Sequence, residues 1–256
     1  MENKLENNIV QKILLASDLD KNFVTDIKED SKIVLRDISN EGDYVFNVLP
    51  NVNFRLSILG IKEVNKAKIT VNLGQNSVFN GYFADFIPCK SSINIMINLN
   101  EEDARAYWRL ASLASNDDHK EFVVNINHNA KNTYAKMDNY GVCKDQSRLV
   151  FSGDSVINKY CTHTETHQNA KIMVFDPTSK AVAKPILKID ENDVIASHAA
   201  IVGRINENHL YYLTSRGLTI PEAKQLITFG YLKPILVGFD DQEIAQEIEE
   251  LIEKRM

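Results

Sequence analysis

Two-residue alternation of apolar and polar side chains dominates the chain from about residue 33 to residue 197 and constrains its fold more than any other feature. Phe54, Leu56 and Ile58, for example, are separated by single polar residues. Such alternation is typical of strands that bury one face. The 256-residue chain has only 10 glycines and 6 prolines, which are too few for tight two-residue hairpins to join so many strands. The sequence therefore predicts a mainly β fold with longer connections.

Residues typical of turns follow these strands at a nearly constant interval. Glycine, asparagine and aspartate tolerate the left-handed backbone that sharp corners need. A strand that ends in such a residue at a regular period indicates a solenoid, whose stacked coils share one apolar column. An antiparallel sandwich has the same alternation and is the alternative interpretation. The turn residues are 26, 29, 29 and 32 positions apart, and they are Gly74, Asn100, Asn129, Asn158 and Asp190.

The pattern changes after residue 202 to one that predicts three helices. The first covers residues 206–217 and ends at a glycine, a residue that commonly terminates helices. The second opens with Thr219 and Glu222, which have the spacing of a capping box. The third runs from about residue 240 to the end of the sequence and is strongly acidic, so we expect its charged face to be solvated.

These patterns divide the chain into three predicted segments. Residues 1–32 are predicted to contain an N-terminal helix, over residues 5–19, and a polar linker. Residues 33–202 are predicted to form a β-helix core, and residues 203–256 a small C-terminal α-helical domain.

Composition excludes several classes of function. The formal net charge of -6 argues against a nucleic-acid-binding protein. No apolar run reaches the roughly 18 residues that a membrane-spanning helix needs, and the N-terminus lacks the pattern of a signal peptide. We therefore expect a cytoplasmic protein without membrane contact. The cysteines are too widely spaced for a disulfide framework or a C-x-x-C motif, so we expect buried, reduced thiols at Cys89, Cys143 and Cys161.

Two sets of residues are candidates for metal chemistry, and no standard catalytic motif is present. Cys161, His163, Glu165 and His167 would share one face of an extended strand, where two or three of them could meet a thiophilic metal. The alternative is an ordinary polar outer face. His198 stands alone after an apolar run at the boundary between strands and helices. From its chemistry alone, it is either a hydrogen-bonded structural residue or a ligand.

Several segments of the chain carry recognisable motifs. Residues 197–205 read SHAAIVGRI, and residues 210–217 read LYYLTSRG. Upstream, residues 147–153 read SRLVFSG. These segments resemble S-H-G-A-T-V-G, F-Y-L-x-S-R-G and S-R-x-x-F-x-G of the SufB/SufD family of iron–sulfur cluster assembly scaffolds, on its SufD side. Gln168 and His128 also fall where that family has a glutamine and a histidine.

The resemblance implies a right-handed parallel β-helix followed by a small helical domain. It implies a scaffold, not an enzyme, that pairs through the β-helix with a SufB-type subunit or with a second copy of itself. SufC-type ATPases would dock on the helices of residues 206–234, and we expect exposed Tyr211, Tyr212 and Tyr231 to make that contact. A nascent iron–sulfur cluster, or iron, would lie at the subunit interface, where His198 matches the histidine proposed as its ligand.

Ala199 replaces the glycine of the S-H-G segment and is a departure from the family pattern. Two other features favour the SufD side. Ser179 stands where SufB-type members have a cysteine, and the His-Glu pair of SufB-type members is absent, since Ala199 follows His198. Two other functions stay open on the sequence: a β-helix polysaccharide hydrolase or lyase, and a homomeric structural solenoid without a metal role.

Overall fold

The computed structural model describes residues 10–15, 19–38, 41–61 and 66–256. This part of the chain forms strands as far as residue 204 and helices after it. The strands are β1 (Val10–Leu15), β2 (Asn22–Ile27), β3 (Ser31–Ile38), β4 (Gly42–Val48), β5 (Asn53–Ile61), β6 (Lys66–Leu73), β7 (Val78–Asp85), β8 (Lys90–Leu99), β9 (Arg105–Ala114), β10 (His119–His128), β11 (Tyr134–Cys143), β12 (Arg148–Ile157), β13 (Thr164–Val174), β14 (Lys180–Ile189) and β15 (Val194–Arg204).

Two parallel sheets build a solenoid. The odd-numbered strands form sheet A, in the order β1 to β15, and the even-numbered strands form sheet B, in the order β2 to β14. Each coil therefore contributes one strand to each sheet, and strands of successive coils pair in parallel, as β9 does with β11. The predicted parallel β-solenoid is confirmed. The antiparallel sandwich is wrong, because the neighbouring strands within each sheet are parallel.

The interior of the solenoid is a stack of apolar side chains. Alternate residues of β8 and β10 are buried, as the alternating sequence requires. Aromatic rings continue from coil to coil, with the ring centroids of Phe46 and Phe54 5.5 Å apart and those of Phe54 and Phe79 5.8 Å apart. Each coil thus buries its apolar residues against its neighbours, and no coil could bury them alone.

The predicted corners are confirmed, but the reason for their composition is different. Gly74, Asn100 and Asn129 each follow a strand of sheet B, and each donates its backbone N–H to the last residue of the preceding coil's strand. The left-handed backbone does not lie at these residues. It lies two or three positions further on, at Asn76 (φ 53°) and Asn132 (φ 56°), for example.

The asparagines at the corners form a ladder of side-chain hydrogen bonds. The Asn129 Nδ2 donates to the Asn100 Oδ1 at 2.9 Å, and the Asn158 Nδ2 donates to the Asn129 Oδ1 at 2.7 Å. An amide carries both a donor and an acceptor, so identical side chains can bond in series along the solenoid. This ladder explains asparagine at positions where the backbone itself does not require it.

The first coil departs from the sequence prediction. Residues 10–15 form strand β1, which pairs in parallel with β3, so the predicted N-terminal helix is wrong there. Residues 5–9 and 16–18 of that predicted helix lie outside the described residues. The predicted linker contains β2, which pairs with β4. Tertiary pairing explains the difference, because an edge strand of a solenoid needs only one apolar face against the next coil.

Helices follow the last strand. They are α1 (Glu207–Ser215), α2 (Ile220–Leu232) and α3 (Gln242–Lys254), with a 3-10 segment, Lys233–Gly238, between the last two. Gly217 follows α1 with φ 99°, and the capping box of Thr219 and Glu222 is formed, as the sequence predicted. No helix in the described ranges is long and apolar enough to cross a membrane.

The last part of the helical region packs on the outer face of sheet A. Ile244, Ile248 and Ile252 of α3 are buried in a cluster with Leu59 and Leu113 of the sheet. The acidic face of α3 is not simply solvated, as the sequence predicted. Asp240, just before α3, lies 2.5 Å from the Lys32 Nζ and 2.7 Å from the Arg55 Nη1, and Glu247 pairs with Arg36 at 2.7 Å. These ion pairs orient the helix on the sheet.

Candidate functional site at the last coil

His198 lies on the last strand of sheet A. Strand β15 pairs with β13, and the register places His198 beside Gln168. Gln168, like the alternate residues Thr166 and Ala170 of β13, is buried in the solenoid interior. His198 therefore occupies the interior-facing row of its strand. It is nevertheless exposed, because among the described residues no further coil stacks on β15.

The layer beneath His198 is polar, whereas the interior of the earlier coils consists mostly of apolar side chains. The Gln168 Nε2 donates to the Ser155 Oγ at 2.5 Å and to the Ile186 carbonyl at 3.3 Å. The Thr166 Oγ1 donates to the same Ser155 hydroxyl at 3.3 Å. The Gln168 Oε1 is fully buried and has no hydrogen-bond partner within the described residues. A buried acceptor without a partner is costly, so this oxygen is available to a donor from the last coil.

Apolar side chains surround this open end. Strands β14 and β15 are the outermost strands of their sheets in the described chain, so each has one unpaired backbone edge. Large apolar residues next to these edges are exposed, including Ile186, Ile195, Ile201 and Val202. Unpaired strand edges with exposed apolar side chains readily pair with another chain. The last coil therefore has the properties of an interface.

The other predicted metal candidates do not come together. Cys161 lies in the corner before β13, is buried, and contacts the His128 carbonyl through its Sγ at 3.4 Å. His163 has a left-handed backbone, φ 57°, and pairs with Asp193 at 3.1 Å. The extended strand begins only at the next residue, so the shared face predicted for these side chains is wrong. No three His, Cys, Asp or Glu side chains in the described ranges are arranged to hold a metal ion.

Glu165 and His167 do share the outer face of β13, but they bond to each other. The His167 Nε2 lies 2.7 Å from the Glu165 Oε1, and its Nδ1 lies 2.6 Å from the Ser197 Oγ. Both ring nitrogens are therefore engaged. The sequence indicated that Glu165 and His167 share a face, but not the contribution of Ser197 from the next coil.

The three cysteines are buried free thiols, as predicted. Burial raises the pKa of the Cys89 thiol to about 11 and also raises the pKa values of Cys143 and Cys161. Thiols in this state are poor nucleophiles, because the thiolate is the reactive form. His128 is also buried inside the solenoid.

The first part of the helical region presents a second exposed surface. Helix α1 has no buried residue, and the side chains of Tyr211 and Tyr212 are 75% and 56% exposed. Leu226 of α2 is also exposed. Tyr231 differs from the sequence prediction. It packs edge-on against Tyr140 of β11, with ring centroids 5.6 Å apart, and burial raises the pKa of its hydroxyl. It therefore helps to attach α2 to the sheet.

Comparison with known proteins identifies the family. Residues 53–231, more than half of the chain, match the family model described as SUF system FeS cluster assembly, SufBD core domain. The chain is 31% identical over 137 residues to the iron–sulfur cluster assembly protein SufD of Bacillus subtilis, an alignment that covers 54% of this chain and 31% of that protein.

Two further relatives also align with this chain over only part of their own length. SufD of Escherichia coli is 27% identical over 115 residues, which are 45% of this chain and 27% of that protein. SufB of Bacillus subtilis is 24% identical over 158 residues, which are 62% of this chain and 34% of that protein. The chain thus spans about a third of the length of these relatives. On the strength of the family match, the protein belongs to the SufBD core family of the SUF iron–sulfur cluster assembly system and is SufD-like within it.

Proposed function

We propose that this chain is a scaffold subunit of a Suf-type iron–sulfur cluster assembly complex and not an enzyme that acts alone. The names of its relatives, iron–sulfur cluster assembly proteins SufD and SufB, support a role in iron–sulfur cluster assembly. The observation that carries the proposal is the position of His198. It is an exposed imidazole in the interior-facing row of the last coil, at an end of the solenoid that is apolar and has unpaired strand edges.

In this proposal, the last coil pairs with a SufB-type subunit. The partner would add strands to the free edges of β14 and β15 and cover the exposed Ile195 and Ile201. Burial of such side chains stabilises an interface by about 25 cal/mol for each Å² of apolar surface removed from water. A second copy of this chain could occupy the same surface, so the experiment below identifies the partner as well.

His198 would bind iron, or a nascent iron–sulfur cluster, as cargo at that interface. Imidazole nitrogen is a suitable ligand for iron. One histidine cannot hold the cargo, and no three His, Cys, Asp or Glu side chains in the described residues are grouped to hold a metal ion, so the partner would contribute the other ligands. The buried Gln168 Oε1 below His198 could accept the N–H of the imidazole and so orient the other nitrogen toward the metal. Outer hydrogen bonds of this kind usually fix the tautomer of a ligating histidine.

Exchange of His198 for alanine tests the ligand role. The chain is co-expressed with a SufB-type subunit and a SufC-type ATPase, and iron and acid-labile sulfide are measured in the purified complex. We expect His198→Ala to leave complex formation unchanged and to lower the bound iron and sulfide at least about tenfold, because one ligand of the site is lost. The matched control is His119→Ala, since His119 is an exposed histidine at the start of β10 on sheet B.

The outcomes separate the two parts of the proposal. A His198→Ala complex that forms normally and carries normal iron would rule out the ligand role. Loss of the complex itself would assign His198 to subunit pairing instead. The mass of the wild-type assembly distinguishes a SufB-type partner from a second copy of the chain.

A further inference from the structure

The outer face of sheet A carries a pocket of about 310 Å³ that is separate from the last coil. It lies on β7, β9 and β11, beside the 3-10 segment. The register aligns Asn80, Tyr107 and Lys136 in one row across these strands, and aligns Tyr82, Arg109 and Asp138 in the next row. The alternation that buries every second residue of β9 turns Tyr107 and Arg109 outward. The volume is at the lower end of that of small-molecule sites, about 300–1,000 Å³.

Two cations line the pocket, and both keep hydrogen-bond donors that are not engaged by the described residues. The Arg109 Nη1 donates to the Pro234 carbonyl at 3.1 Å, which orients the guanidinium. The Arg109 Nη2 lies 3.9 Å from the Asp138 Oδ2, and the Lys136 Nζ lies 3.5 Å from the same oxygen. Both distances are longer than a hydrogen bond. The donors on the open side of both groups are therefore free to bind a ligand.

Asp138 does not cancel the positive charge. Its side chain is only 8% exposed, and its Oδ1 accepts a hydrogen bond from the Asn169 Nδ2 at 2.9 Å. This single, fixed carboxylate lies beside both Arg109 and Lys136, so the residues that line the pocket carry one more positive than negative charge. Glu165 is close by but does not line the pocket, and its Oε1 contacts the His167 Nε2. The pocket therefore attracts an anion and repels a cation.

Aromatic rings form the other wall. The ring centroids of Tyr107 and Tyr134 are 5.4 Å apart, with the planes tilted by 41°. Tyrosine rings stack on flat, unsaturated groups and hold them at low entropic cost. Because the nearby cations disfavour a positively charged partner, the rings suit a neutral planar ring whose attached anionic group reaches Lys136 and Arg109.

We propose that this pocket is a binding site for a small organic anion, a carboxylate or phosphate attached to a planar ring. The site does not depend on the function proposed for the last coil. It lies on β7, β9 and β11, whereas His198 lies on β15, and each of the three pocket strands is paired on both edges within sheet A. The ligand contacts would come from Lys136, Arg109 and the two tyrosines.

Calorimetric titration of the full chain at low ionic strength tests this assignment. The probes are adenosine monophosphate and benzoate, which combine a planar ring with an anionic group. Two half-probes each have one of these parts: adenosine has the ring alone, and inorganic phosphate has the anionic group alone. We expect at least one of the two ring-bearing anions to bind more tightly than the half-probes. Lys136→Gln and Tyr107→Ala should each weaken that binding by about tenfold, since each removes one contact of ordinary strength. The anion that binds identifies phosphate or carboxylate as the recognised group.

A matched control is available on sheet B. Lys68 is 46% exposed and lies 3.9 Å from Asp43, whereas Lys136 is 43% exposed and lies 3.5 Å from Asp138. Lys68→Gln should leave binding unchanged, and circular dichroism should show that all variants keep the β-rich fold. The proposal is overturned if neither ring-bearing anion binds. It is also overturned if a half-probe binds as tightly as the ring-bearing anion, or if Lys68→Gln weakens binding of that anion as much as Lys136→Gln does.

Discussion

At the scale of single residues, His128 is the clearest case of a side chain whose surroundings change its chemistry. It is fully buried at the end of β10, and its Nδ1 lies 2.8 Å from the Thr133 Oγ1. Its Nε2 is buried without a partner in the described residues. Burial disfavours the charged imidazolium and lowers the pKa of His128 from 6.5 to about 4.

This shift predicts a loss of stability in mild acid. The unfolded chain takes up a proton at His128 near pH 6.5, whereas the folded chain takes it up only near pH 4. The unfolded state therefore binds more protons between these values, and the free energy of unfolding falls as the pH falls from 6.5 to 4. The full effect is about 3 kcal/mol. Urea unfolding of the wild type at pH 7.5, 6, 5 and 4 should show it.

The comparison variants isolate this histidine. His128→Gln should lose stability at pH 7.5, but its further loss down to pH 4 should be smaller than that of the wild type by about 3 kcal/mol. His119→Gln removes an exposed histidine and should follow the wild-type curve. Parallel curves for wild type and His128→Gln would show that His128 does not carry the acid sensitivity.

At the scale of elements, the corners of the solenoid depend on contacts between coils. The ladder of Asn100, Asn129 and Asn158 joins three corners through side-chain amides. Backbone bonds at the same corners also run between coils, as from the Asn129 N–H to the Leu99 carbonyl. A corner is thus stabilised by its neighbours, which is expected of a fold whose energy is a sum of nearest-neighbour terms.

The ladder predicts that substitution of its middle asparagine, Asn129, lowers stability more than substitution of its last asparagine, Asn158. Asn129→Ala removes both ladder bonds and should lower the free energy of unfolding by about 1–2 kcal/mol, whereas Asn158→Ala removes one of them and should cost about half as much. Urea unfolding measures both, and the double variant shows their coupling. Equal losses in the two single variants would mean that the ladder bonds do not contribute and that only the backbone conformation matters.

At the scale of the whole molecule, the two exposed surfaces serve different proposed partners. The last coil has the free edges of both sheets, whereas the exposed surface of α1 and α2 follows the last strand. Deletion of everything after Gly203 would not isolate the helical surface, because it would also uncover the apolar face of sheet A beneath Ile244, Ile248 and Ile252. Point substitutions on α1 avoid this problem.

Docking of a SufC-type ATPase on α1 is tested by Tyr211→Ala combined with Tyr212→Ala. Both side chains are exposed, so the fold should persist, and we expect binding of the ATPase in pull-down and calorimetry to weaken at least about tenfold, because exposed tyrosines are frequent interface anchors. Tyr160→Ala is the control, since Tyr160 is equally exposed but lies in the corner before β13. ATPase binding that is unchanged in the α1 variant would place the docking surface elsewhere.

The sequence by itself determined the class of the fold. Alternation of apolar residues indicates half-buried strands, and the period of the turn residues favours stacked coils, so a mainly β solenoid could be predicted without coordinates. The parallel pairing that excludes the antiparallel sandwich was seen only in the structure. The capping box of Thr219 and Glu222 and the glycine after α1 are equally local, because each depends on residues within one turn of a helix. The family segment around His198 also lies in a continuous stretch of sequence.

Tertiary structure alone decided everything that depends on which coils are neighbours. Strand β1 forms because β3 offers it a parallel edge, where local propensity indicated a helix. His163 leaves the face of His167 because the corner before β13 needs a left-handed residue. Tyr107 lies beside Tyr134 because β9 pairs with β11. In the same way, the register of β13 with β11 and β15 places Lys136 and Ser197 on either side of His167. The alternation within a strand specifies which of its residues face the core, but which residues of neighbouring coils lie side by side is decided only when the coils pack.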